Sequence, residues 1–174
     1  MRESSLFLLL MLLFSGCSTR GKGAYKYEHS LLQKTIPANP EEKIFTPDNK
    51  TAISLALYEE YEKWKGTPYK YGGVNKSGVD CSSFVQSMYY NALRVQVPRT
   101  TSLQEKYGDF INKRELREGD MIIFHTGQTT IHSGIYIEKG KFAHASSKHG
   151  VTISNVNNPY WKQKYSQSRR VIHY

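Results

Sequence analysis

The chain has 174 residues, of which 39% are hydrophobic and 22% charged. That is enough for one domain with a real core and too short for two large ones. Lys and Arg exceed Asp and Glu by 24 to 15, giving a formal net charge of +9. Such a balance favours an anionic partner, but no run of five or more basic residues and no nucleic-acid motif occurs, so nucleic acid is set aside.

The first segment reads MRESSLFLLLMLLFSGC, with Arg2 and the amine ahead of nine unbroken apolar residues from Leu6 to Phe14. A spanning helix needs ~20 such residues; a run of half that length fits a secretory signal over residues 1–16. Phe14-Ser15-Gly16-Cys17 resembles a bacterial lipobox, with Phe14 where leucine is usual. Cys17 is then the expected lipidation site, and acyl chains on the cleaved N-terminus would hold the protein to a membrane. Ser18, in place of aspartate after the cysteine, favours the periplasmic face of the outer membrane. With Cys17 blocked, Cys81, the other of the two cysteines, has no disulfide partner.

Residues 17–50 are the lipidated cysteine and a polar tether containing Pro37, Pro40 and Pro47. The folded domain is placed at 51–174. Ile53, Leu57, Tyr61 and Trp64 fall on one helical face, and Gly66 and Pro68 close that helix. After the Gly-rich loop KYGGVNKSG a second helix begins at Cys81, with Phe84, Val85, Met88 and Ala92 as its buried stripe. A short helix is expected over Thr101–Tyr107. From Asp120 the pattern turns to short strands: MIIFH, IHSGIYI, KFAHAS, VTIS and RRVIHY. Helices first and a mainly antiparallel sheet second make an α+β domain.

The chemistry centres on GVDCSSFVQ. Asp80 is a good N-cap and puts Cys81 in the first helical turn, where the helix dipole favours a thiolate below the ordinary thiol pKa of ~8.5. A cysteine nucleophile needs a base. Of the six histidines, His29 falls in the tether and His173 at the C-terminus. His132 and His144 flank the hairpin IHSGIYI-EKG-KFAHAS. A three-residue loop, Glu138-Lys139-Gly140, would pair Ile137 with Lys141, set Gly134 opposite His144 and put both imidazoles on one face, ~7–8 Å apart at Cα. A two-residue turn would put them on opposite faces. His132 is then the proton acceptor, His144 its orienting partner, and the backbone N–H groups at the helix start, with Tyr69, the oxyanion donors. A zinc site built from Cys81, His125, His132 and His144 matches no ligand spacing of known zinc motifs, so no metal and no cofactor is expected.

GTPYKYGGVNKSGVDCSSFVQSMYY, VPRTTSLQ, LREGDMIIF and IHSGIYIEKGKFAHASSKHGV together resemble the NlpC family of papain-like cell-wall cysteine peptidases. NPYWKQKYSQSRRVI is similar to its branch of Gram-negative murein endopeptidase lipoproteins. The resemblance implies a papain-like fold and a Cys-His-His triad at Cys81, His132 and His144. It implies an oxyanion-side tyrosine at Tyr69, and it makes Asp80, Ser82 and Ser83 neighbours of the nucleophile, with Ser83 where glycine is usual. The implied substrate is the peptidoglycan stem peptide, cut at D-Ala–diaminopimelate cross-links or between D-γ-Glu and the diamino acid. Stem-peptide carboxylates suit a basic protein. Arg99 or a nearby lysine is a candidate partner for such a carboxylate, with a structural salt bridge as the other reading. The competing readings are a related cysteine amidase or acyltransferase, which would show a wide apolar groove, and a non-catalytic wall-binding lipoprotein, which would lack a triad member.

Overall fold

The computed structural model describes residues 50–174; the signal segment, Cys17, the tether and His29 lie outside the described residues. Helix α1 (Lys50–Trp64) buries Ile53, Leu57, Tyr61 and Trp64, the face its periodicity predicts. Glu60 is buried beside them, and its carboxylate accepts from Trp64 Nε1 (2.8 Å), Asn91 Nδ2 (2.8 Å) and Lys63 Nζ (3.0 Å). Asn91 belongs to the next helix, so a buried charge becomes a staple between helices.

Strands β1 (Val74–Asn75) and β2 (Gly78–Val79) form a small hairpin in the Gly-rich loop. Helix α2 (Cys81–Leu93) follows, and Phe84, Val85, Met88 and Tyr89 lie fully buried in the core. Ala92 is only partly buried, and Leu93 takes the inner position. Arg94 ends the helix in the left-handed region (φ 58), its N–H on the carbonyls of Tyr89 and Tyr90. Helix α3 (Thr101–Gln104) is shorter than the predicted stretch to Tyr107.

Six antiparallel strands make the sheet, in the order β3-β8-β4-β5-β6-β7. They are β3 (Asp109–Ile111), β4 (Met121–His125), β5 (Ile131–Glu138), β6 (Lys141–Ser146), β7 (Gly150–Asn155) and β8 (Tyr165–Arg170). The last was expected over RRVIHY. The paired residues are the more polar YSQSRR, because Ser168 is its only fully buried member and Arg170 is fixed by Asp120 (2.8 and 2.9 Å) at the start of β4. Val171, Ile172 and Tyr174 leave the sheet and pack on the helix-side core. Helix α4 (Pro159–Lys164) precedes β8, capped by Asn158 Oδ1 on Tyr160 N–H (3.0 Å).

The sheet has two unlike faces. Met121, Ile123, Ile135, Ile137, Ala143, Ala145 and Val151 join the core buried with α1 and α2. Ile122, Phe124, Phe142 and Val156 lie on the other side with Leu116, Tyr136, Trp161 and Tyr165.

The β5–β6 turn differs from the expected loop. Glu138 pairs with Lys141, leaving Lys139 (φ 47) and Gly140 (φ 80) as a two-residue turn with both φ positive. Alone, this register would separate the two histidines. A bulge between Tyr136 and Glu138 absorbs one residue and restores Ile135↔Ala143, the register the three-residue loop would have given. Gly134 is required here. A Cβ on it would stand 2.7 Å from the Phe142 ring and 2.9 Å from the Ala143 carbonyl oxygen.

Candidate active site

Asp80 has an extended backbone (φ −90, ψ 170) and its Oδ1 accepts the Ser83 N–H at 2.7 Å. The backbone N–H groups of Ser133, from β5, and of Ser82 and Cys81 itself favour the ionised form of the Cys81 sulfur. The nucleophile candidate thus rests against the residue that follows His132. Cys81 retains 7% of its surface open. Burial pushes its thiol above the ordinary value and the Asp80 charge adds to this, while the three N–H groups oppose it. The sequence reading expected the helix start to lower that value; burial outweighs it.

His132 and His144 come together. His132 Nε2 lies 2.9 Å from His144 Nδ1, and His144 Nε2 lies 3.0 Å from Ser154 Oγ. Two hydrogen-bond orders satisfy this chain. If each Nε2 carries the hydrogen, His132 donates to His144, His144 donates to Ser154, and His132 Nδ1 is left as a free base. If the order reverses, Nδ1 carries the proton. Burial lowers His132 to about 4 and, together with the His132 and His149 charges, moves His144 well down. Both rings are therefore neutral near pH 7, the state a proton acceptor needs.

Trp161 walls this pair. It stacks on His132 (5.5 Å between centroids, 26°) and meets His144 edge-on (4.8 Å, 78°), while Phe142 stacks on the other ring (4.9 Å, 29°). Neither Trp161 nor Ser154 was singled out from sequence. Asn158-Pro159 was the available signal for α4, a cap residue followed by proline at the first helical position. Ser154 carries no local signal, since its role depends on β6–β7 pairing.

Tyr69 is half-buried and held on both sides: Val79 N–H donates to Pro68 (3.0 Å) and Lys70 N–H to Val79 (3.1 Å). Burial first, then the Cys81, Asp80 and Tyr71 charges, raise its phenol. Asp80 and Ser82 are engaged within the fold. Asp80 accepts from Arg99 Nη1 (3.0 Å) and Nη2 (2.8 Å), from Ser82 Oγ (3.1 Å) and from Gly72 N–H (3.1 Å). Although burial opposes it, the Arg99 guanidinium and these donors keep the Asp80 carboxyl below its ordinary value. Arg99, a candidate for a substrate carboxylate, is thus the salt-bridge partner of the helix cap. Ser83 is buried with its N–H on Asp80.

The remaining histidines lie elsewhere. His125 Nε2 is 2.7 Å from Glu105 Oε1, His173 Nε2 is 3.4 Å from Asp109 Oδ2, and His149 is exposed. Among the described residues no group of three or more His, Cys, Asp or Glu is arranged to hold a metal, and no helix is long and apolar enough to cross a membrane. Two cavities, about 320 and 470 Å³, lie away from the cysteine, at Gln86–Val97 and beside Lys113 and Arg114.

Helices α1 and α2 packed on one face of a six-stranded antiparallel sheet, with a cysteine at the start of α2 and two bonded histidines on neighbouring strands, make an α+β arrangement of the papain-like kind. The NlpC/P60 family model matches residues 66–170, and the chain belongs to that family. Murein DD-endopeptidase MepS/Murein LD-carboxypeptidase of Escherichia coli K12 is 42% identical over 120 residues, a match covering 69% of this chain and 64% of that protein's length. Probable endopeptidase NlpC of the same organism is 37% identical over 168 residues, covering 95% of this chain and 97% of that one. Among solved structures, a lipoprotein-like NLP/P60 family protein of Staphylococcus aureus superposes with a TM-score of 0.63 at 28% identity, over 78% of this chain and 45% of its own.

Proposed function

We propose that this chain is a peptidoglycan endopeptidase that hydrolyses stem-peptide amides through an acyl-enzyme on Cys81. The observation that carries the reading is the His132–His144–Ser154 chain on strands β5, β6 and β7, the first two of which pack against the helix that begins at Cys81. His132 Nδ1 takes the thiol proton as the sulfur attacks the carbonyl carbon. The resulting oxyanion accepts from the backbone N–H groups at the start of α2 and from the Tyr69 hydroxyl. His132 then gives the proton to the departing amine, and water, activated by the same ring, hydrolyses the thioester. His144 holds His132 in the tautomer that leaves Nδ1 free.

Burial of both partners as neutral species sets the timing. A thiolate–imidazolium pair is disfavoured in the resting site and forms as substrate supplies compensating dipoles. The family assignment and the relatives named for murein cleavage support peptidoglycan as the polymer. Purified protein incubated with sacculi should release muropeptides visible by mass spectrometry, and Cys81→Ala should release none; equal digestion by that variant would overturn the reading. Defined cross-linked dimers and uncross-linked monomers would separate cleavage at D-Ala–diaminopimelate from cleavage after D-γ-Glu.

The second part of the proposal is a lipid anchor at Cys17, placing the domain at the periplasmic face of the outer membrane. It is supported by the apolar run Leu6 to Phe14 and by Ser15-Gly16-Cys17-Ser18. Labelled palmitate should enter the wild-type chain and be absent from Cys17→Ala, with the labelled protein recovered in the outer-membrane fraction.

A further inference from the structure

Among the described residues, three buried side-chain atoms have no hydrogen-bond partner: Gln104 Oε1, Ser133 Oγ and Arg169 Nε. Folded interiors leave few such groups, because each forfeits its hydration without a replacement. Two of the three flank the first turn of α2. Gln104 is fully buried and donates to the carbonyls of Ser82 (2.9 Å) and Pro98 (2.8 Å). Ser133, also fully buried, has its backbone N–H on the Cys81 sulfur.

Direction separates them. Side chains alternate along a strand, and Ile135 and Ile137 of β5 face α1 and α2. Ser133 shares their face, so its hydroxyl is on the side of the strand that α2 packs against. The sulfur is already under the influence of the Ser133 backbone donor, and the unpartnered hydroxyl is a second donor on the same side of the strand. Chemistry separates them too. Gln104 Oε1 only accepts and cannot steady a negative sulfur, whereas a serine hydroxyl donates.

We propose that Ser133 is a further catalytic residue, whose hydroxyl donates to the Cys81 sulfur when the thiol proton passes to His132 Nδ1. This rests on the reading of Cys81 as the nucleophile. In the resting site the sulfur carries its own hydrogen and is a weak acceptor, and the Ser133 hydroxyl is idle. Thiolate formation creates a charged acceptor among groups already in place. The interaction is stronger in the ionised state than in the resting one, which is the condition for lowering a barrier.

The test measures the thiolate without relying on turnover. The full chain is alkylated with iodoacetamide across a range of pH, and modification of Cys81 is read by peptide mass so that Cys17 does not contribute. Ser133→Ala should move the midpoint of the alkylation profile up by about one pH unit, a roughly tenfold slower reaction below it. Ser133→Thr, which keeps the hydroxyl, should restore the rate to within about threefold, and Ser133→Val, of the same shape without the hydroxyl, should follow alanine. Comparing Thr with Val cancels any packing strain from the added methyl group, and circular dichroism reports whether each variant folds. Superimposed profiles for wild type and Ser133→Ala, identical profiles for Thr and Val, or a wild-type Cys81 that takes no label would each overturn the proposal. Sacculus digestion is scored separately: shifted alkylation without digestion retires the endopeptidase reading alone, and digestion without a shift retires the role of Ser133 alone.

Discussion

The helix-covered face of the sheet and its aromatic face do different work, the first fully buried and the second lined in part by half-buried rings. On the first, Ile123, Ile135, Ile137 and Ala145 pack against α1 and α2, and the buried Glu60 carboxylate is tied to Trp64 and Asn91, while Ser133 Oγ stands without a partner. On the second, Phe124, Phe142 and Trp161 surround two imidazoles that are partnered only by each other and by Ser154. One face removes apolar area from water and the other removes water from titratable groups. Stability resides mainly in the first, and the proposed proton transfer draws on the second.

Truncation should expose that division most strongly. Phe84→Ala, on the helix side, deletes a fully buried ring that meets Trp64 edge-on (6.1 Å). A loss of about 3–5 kcal/mol is expected in denaturant unfolding, with residual activity falling only as far as the folded fraction falls. His144→Ala, on the aromatic side, should reverse the pattern. Endopeptidase kcat/KM is expected to drop by about 10²–10⁴-fold while the melting temperature moves little by comparison. If both variants lose stability and activity in parallel, the division fails.

A pH series sharpens it. His132 and His144 have folded-state values below their ordinary ones, so the unfolded chain takes up protons first as pH falls. Their contribution to stability is present above about pH 6.5 and is lost as pH drops toward about 4. Unfolding free energy should decline through that window by on the order of 2 kcal/mol, and His132→Gln should flatten the decline. Under the proposed mechanism activity should persist below pH 6.5, because His132 stays neutral there. The smallest effect is expected for Trp161→Phe, which keeps an aromatic wall but thins it. The acid limb of kcat/KM should move upward by less than about one unit, as His132 regains some hydration, with less than about 1.5 kcal/mol of stability lost.

The same two faces explain what could be read in advance. Helical periodicity over Ile53, Leu57, Tyr61 and Trp64 is a local property, and so is the Asp80 cap, so α1 and the position of Cys81 were legible. The convergence of His132 with His144 was legible through strand alternation, although the turn and the bulge that deliver it were not; two opposite register changes cancel and leave no trace in the pattern. Trp161, Ser154 and the Arg99–Asp80 pairing depend on contacts between segments far apart in the chain. β8 was displaced because a strand with one fully buried residue, Ser168, carries almost no apolar signal. The state of the thiol has a related cause: the helix start can be read locally, but the burial that outweighs it arises only in the folded domain.

The bulge near Ile137 has a consequence for the way this hairpin can change length. The two imidazoles stay on a common side only while the turn and the bulge together remove an even number of steps from the ladder. Adding or deleting one residue at Lys139-Gly140 would exchange inward and outward side chains all along β6, carrying His144 to the aliphatic side. Adding two would leave it in place. The hairpin therefore has a parity, and tolerance to insertion at its tip should alternate with residue count rather than fade smoothly with length.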